Sequence, residues 1–242
     1  PLLTSTAINP MANNTTPVQS DNQLKQKASL IGSLMLAQMG LGIFLNFFLL
    51  KPILMLDVDN VSAGIPWLIG FSTLAALVVS IINIFYAQLL PRNVVSAFQN
   101  TTTLIIVFAA AGLALCTVEY VNLTEYAIYA GEMFKQFGQD LSPTQELLRK
   151  TFATGRNKAH FLSMILSSLS LLLFYIVMFR SHLIAKQLGA FAIFSCALQL
   201  VAVGHTLFDF AIPALMQLPL FITQIVIPIY LITRGFNRQQ QH

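Results

Sequence analysis

Charge is what this chain has least of. Only 9% of its 242 residues are Asp, Glu, Lys or Arg, against about 25% in an ordinary soluble domain, so a normal water-facing surface cannot be assembled from them. Cysteine is almost missing too. Cys116 and Cys196 stand alone, without CxxC spacing or a Cys/His cluster, which removes a zinc-finger site and a disulfide framework. Both fall inside apolar runs at different depths, where they read as small buried hydrophobes rather than a bridge. No serine sits in a GxSxG turn, no HExxH occurs, and no phosphate-cradling glycine loop follows a strand. The usual hydrolase, metalloprotease and nucleotide-binding signatures are therefore absent.

What the chain has instead is apolar length. Hydrophobic residues make up 56% of it, and mean hydropathy is +0.72. The last third, Phe161 to Gly235, holds three apolar runs broken only by a basic turn (Arg180, Ser181, His182) and by Asp209. At 1.5 Å per helical residue, about 20 such residues cross a hydrocarbon core of about 30 Å. Three further runs precede them. The reading is an all-α integral membrane protein with six transmembrane helices, at about Leu30–Leu54, Pro66–Leu90, Val94–Val118, His160–Phe179, Leu183–Leu207 and Ile212–Ile232. Residues 1–24 are mostly polar and aperiodic and read as a disordered cytoplasmic tail rather than a secretory signal. The membrane domain then covers 25–238, and 239–242 form a second tail.

Residues 119–158 are expected to form an outer loop between spans three and four. Within it Tyr126, Ile128, Tyr129, Met133, Phe134 and Phe137 fall roughly on helical spacing. That pattern predicts an amphipathic interfacial helix lying on the outer membrane surface, stopped by Gly138. Ser142-Pro143-Thr144-Gln145 then carries the signature of a helix start, with serine as N-cap, proline at the first position and glutamine at the third.

Charge placement predicts orientation. With six spans, both chain ends share one side, where Lys25, Lys27, Arg92, Arg180, Lys186, Arg234 and Arg238 fall: seven of the 13 basic residues. Among short loops the opposite side holds only Lys51, and of nine acidic residues only Asp21 lies on the first side. Both termini are accordingly expected to be cytoplasmic. The formal charge of +4 reflects this asymmetry and does not imply a nucleic-acid partner.

Ionisable residues within or at the ends of spans are the first place to look for chemistry. Glu119, His160, His205 and Asp209 all fall at the predicted outer ends of their spans, and the last two are four residues apart. Histidine and carboxylate ligands of this kind suit a divalent metal with an open position for water, as in an outward-facing intramembrane hydrolase. His160 with His205 is also the one pair at matching depth for haem. The plain alternative is a structural hydrogen-bond or salt-bridge cluster, or interfacial residues that are simply wet. Arg180 and Lys186 could touch lipid head groups. Gly40, Gly112, Ser163 and Ser167 are small residues suited to close helix packing. Asn46, Asn83, Gln199 and Gln224 could line a path for an uncharged solute, although interhelical hydrogen bonding explains them more simply.

The run from Leu171 to Gly204, followed by an apolar helix ending in Leu231-Ile232-Thr233-Arg234-Gly235-Phe236-Asn237, resembles a bacterial family of six-span proteins known only as domain of unknown function 4386. Phe179, Arg180, Ser181, Leu183 and Ile184 match its aromatic and basic turn, and the stretch from Lys25 to Leu34 resembles its start. The resemblance covers roughly residues 25 to 237. It implies a six-helix protein of the bacterial cytoplasmic (inner) membrane and brings no activity with it. The expected role is non-enzymatic: an accessory or regulatory membrane subunit, or a binder of lipid or another apolar ligand. Its expected partners are membrane lipids and other membrane subunits, and no cofactor is expected unless a divalent metal binds.

Overall fold

A computed structural model describes residues 21–54, 65–138, 140–208 and 210–237. The helices begin and end where the local chemistry requires. Helix α1 (Asp21–Phe44) widens into a π-helical stretch over Leu45–Leu50 before the short α2 (Lys51–Leu54). Pro52 has no N–H to return to the preceding turn, and a π-type widening is one way a helix absorbs that loss. Helix α3 (Ile65–Leu89) stops before Pro91, and the one-turn α4 (Arg92–Ala97) starts directly after it, with the amide of Val94 donating to Pro91 O. Phe98 leaves helical geometry, and α5 (Gln99–Phe137) follows until Gly138, whose φ of +62° needs a glycine. Helix α6 (Pro143–Arg180) opens on the predicted capping box: Ser142 Oγ accepts from the Gln145 amide and Gln145 Oε1 accepts from the Ser142 amide.

The turn after α6 is a Schellman closure. His182 adopts φ +53°, its amide donates to Phe179 O, and the Leu183 amide donates to Met178 O. Helix α7 (Lys186–Gly204) ends in a 3₁₀ turn, His205–Phe208, and α8 (Ala214–Arg234) carries Pro219 and Pro228 inside it before Gly235 reverses the chain. Nine-tenths of the described residues are helical and none of them lies in a strand.

Six of these helices are long and apolar enough to cross a bilayer. Only 22–33% of each one's most apolar 18-residue window is buried within the bundle, so most of the apolar surface points outward. Trp67, Phe71, Leu74 and Phe194 are among the side chains left more than half exposed. Such a surface is stable against hydrocarbon and not against water.

The segment between spans three and four departs from expectation. Residues 119–137 are not a loop with a separate surface helix; they continue α5 without interruption, and α6 begins at Pro143 rather than near His160. Polarity marks where a helix leaves hydrocarbon, but with no proline and no positive-φ residue before Gly138 nothing ends it there. The 39 residues of α5 and 38 of α6 extend about 55–60 Å at 1.5 Å per residue. Roughly half of that suffices to cross the core. The remainder is a helical hairpin held by Tyr129, whose hydroxyl donates to Gln145 O at 3.0 Å and whose ring packs on Phe152.

The six spans form a closed ring in chain order, α1–α3–α5–α6–α7–α8, with α8 returning against α1. The half nearest the chain ends is filled by Tyr86, Phe174, Tyr175, Met178 and Ile227, with Phe174 and Tyr175 fully buried. A second cluster, Leu49, Leu50, Ile53, Ala76, Cys116 and Leu123, joins the π-helical stretch and α2 to α3 and α5. Ring closure depends on Gly32: a methyl there would lie 2.6 Å from Pro228 O and 2.9 Å from Ile232 Cγ1. Gly40, expected in a packing role, faces open space. The pattern of small residues cannot say which side of a helix meets a neighbour. Cys116 and Cys196 are both free and buried.

Replacing Gly32 by alanine should cost about 1–3 kcal/mol through overpacking. Gly40→Ala should be neutral or stabilising by up to about 1 kcal/mol, from helix propensity alone. Unfolding of the two variants in mixed micelles checks the contrast.

Candidate functional site

Glu119 lies 20 residues into α5, and His160 lies 20 residues back from the end of α6. At 1.5 Å per residue both stand about 30 Å from the chain-end side, at the opposite boundary of the hydrocarbon. Because the two helices run antiparallel side by side, the residues meet. Glu119 Oε1 accepts from Arg156 Nη2 at 2.9 Å and lies 3.0 Å from His160 Nδ1. Arg156 and His160 are four apart, hence on one face of α6. The side chains of Glu119 and Arg156 are 5% and 10% exposed, and that of His160 is 31% exposed. Arg156 Nη1 also donates to Asn157 Oδ1 at 3.1 Å, whereas its Nε is buried without a partner.

The arrangement is an acid made tolerable at low dielectric by a guanidinium, with an imidazole at its edge. Arg156 already donates to Oε1 and the His160 ring stands 3.0 Å from it, so a metal ion at this oxygen would have to compete with Arg156. Of the four residues expected to share a metal, Glu119 and His160 are brought together. His205 turns its Nδ1 to Val201 O of its own helix at 2.8 Å, and Asp209 lies outside the described residues. No group of three His, Cys, Asp or Glu side chains placed to hold a metal occurs among the described residues. Arg156 lies outside the span expected from His160 because the long apolar run starts after it, whereas α6 is already helical from Pro143. The i, i+4 spacing of Arg156 and His160, with a lone acid at matching depth on the preceding span, was the available signal.

The smaller polar groups stitch helices together. Ser163 Oγ donates to Gly112 O at 2.8 Å, and Ser170 Oγ donates to Ile105 O at 2.9 Å, both from α6 to α5. A methyl added at Gly112 would lie 2.8 Å from Ser167 Oγ. Gln38 donates to Val79 O and to Asn83 Oδ1, and accepts from the Tyr86 hydroxyl, tying α1 to α3. Asn46, among the described residues, donates to Gly42 O one turn back along the same span. Asn83 and Asn46 thus serve separate neighbours rather than one path. Arg180 stands over the Phe98 ring at 5.5 Å.

The chain belongs to the family described as domain of unknown function DUF4386, whose pattern matches residues 30–235. No curated protein and no solved structure matches it.

Removing one partner from a buried ion pair strands the other. Arg156→Met alone should destabilise the full chain by about 3–5 kcal/mol, while Arg156→Met with Glu119→Leu should recover most of the loss. Unfolding of both variants beside wild type checks this, and equal damage from single and double changes would show that the pair is not the contributor.

Proposed function

We propose that this protein is a non-enzymatic, multi-pass component of a bacterial cytoplasmic membrane. Both chain ends would be cytoplasmic, and it would work as an accessory or regulatory subunit through contact with another membrane protein. One observation carries the reading: the α5–α6 hairpin continues beyond the Glu119–Arg156 pair and displays Ile128, Phe137, Leu147 and Leu148 at 44–64% exposure. Tyr120 to Phe137 is about 27 Å of helix. Lipid explains apolar exposure between the boundaries; beyond them, large apolar side chains exposed as one patch would mark contact with another macromolecule, and these four support that reading. The buried ion pair and the serine bonds support a stiff strut able to present them.

The metal-hydrolase reading is weaker, because the carboxylate it needs is bound by Arg156, and no third ligand joins His160 among the described residues. The carrier reading lacks support for the same geometric reason that the ring is stable: Phe174 and Tyr175 occupy the middle of its chain-end half.

A photocrosslinking amino acid at Leu147 or Ile128 in intact cells should give a discrete adduct with one polypeptide, and at Phe71 it should give lipid adducts. A chain that stays monomeric under mild detergent, with no protein adduct from either hairpin position, would overturn the subunit role. A cysteine introduced at Lys135 should react with a membrane-impermeant maleimide from outside; labelling only after lysis would reverse the orientation. Purified protein should contain well under one equivalent of zinc, iron or manganese, and stoichiometric metal would restore the hydrolase.

A further inference from the structure

At the end of the bundle that carries both described chain ends, four segments distant in sequence converge on one cavity of about 220 Å³. They are the first turn of α1, the Pro91 turn, the turn after α6 and the reversal after α8. The backbone after α8 is pinned there: the Asn237 amide donates to Leu183 O at 2.9 Å, and the Tyr230 hydroxyl donates to Asn237 Oδ1 at 2.8 Å. Gly235, at φ +74°, lies directly against the stem of Lys25, where even a methyl would be in contact at 3.6 Å. Arg234, next to Gly235 in sequence, and Lys25 both line the cavity. Lys27 Nζ donates to Leu90 O at 3.4 Å, fixing the start of α1 to the Pro91 turn beside Arg92.

The lining has a consistent chemistry. Lys25, Arg234 and one acid, Asp21, line it, for a net charge of one positive. Asn22, Asn93 and Asn237 add amides able to donate. Behind them Leu24, Leu183, Phe236 and Pro91 form an apolar wall. Cations and amide donors suit a phosphate oxygen cluster. An apolar wall beside them, at the level where the apolar spans begin, suits the glycerol and acyl roots attached to that phosphate. Basic pockets between transmembrane helices are where anionic head groups are held.

We infer that this cavity is a binding site for the phosphate of an anionic glycerophospholipid head group, seated between Lys25 and Arg234. It differs from the surface pair Arg180 and Lys186, which line no part of it. The site stands whether or not the hairpin contacts a partner. A bound lipid would bridge α1, the α3–α4 turn and α8, the same junction that closes the ring.

The test uses the full chain in mild detergent, offered phosphatidylglycerol, phosphatidylcholine or inorganic phosphate, with retained ligand counted by native mass spectrometry. Phosphatidylglycerol should be held at least about tenfold more strongly than phosphatidylcholine. The pair Lys25→Gln with Arg234→Gln, both exposed side chains, should lose about tenfold in retention, while Arg180→Gln with Lys186→Gln should not. Displacement by millimolar inorganic phosphate would uphold the phosphate chemistry and assign the site to a soluble phosphate compound. Equal retention of both lipids, or equal loss in the two double variants, would overturn the site.

Discussion

Between α5 and α6 the chain solves a problem that water solves for soluble proteins. In hydrocarbon no hydrophobic force draws two helices together, since lipid tails are as apolar as leucine, so association depends on close packing and hydrogen bonds. Gly112 lets α6 approach until Ser163 Oγ reaches its carbonyl, and Ser170 repeats the contact at Ile105. Such bonds contribute about 0.6 kcal/mol each, which is too little singly and useful in series. At the far end of the seam the Glu119–Arg156 pair adds a more directional tie. Helix α3 packs on α5 and α7 on α6, α1 and α8 complete the ring, and the hairpin is simply the continuation of the α5–α6 pair.

Electrostatics follows from the same geometry. Burying one carboxylate would be prohibitive, and burying it against arginine is tolerable without being strongly stabilising. The pair therefore specifies register more than it adds stability: α5 and α6 slid past each other by one turn would leave both charges unpaired. The serine contacts impose the same register from below. Opposite ends of the bundle then differ in kind. One holds a neutralised ion pair beneath a projecting apolar-studded hairpin, the other a polar cavity with surplus positive charge.

Much of this was written in the residue order itself. Six apolar runs of sufficient length, the Ser142–Gln145 cap and the Gly138 stop are local properties, set by hydrocarbon thickness, hydrogen-bond chemistry and backbone sterics, and the structure has six long apolar helices, that cap and that stop. Local pattern could not tell that α5 continues past its apolar section, because polarity reports the surroundings of a helix and not its end. Nor could it choose between Gly32 and Gly40, which differ only in what stands opposite. Arg156 joining Glu119, the ring in chain order, and the cavity between Lys25 and Arg234 depend on residues tens to hundreds of positions apart. Those pairings were decided by tertiary structure alone, since only the packed antiparallel helices bring the groups within reach of one another.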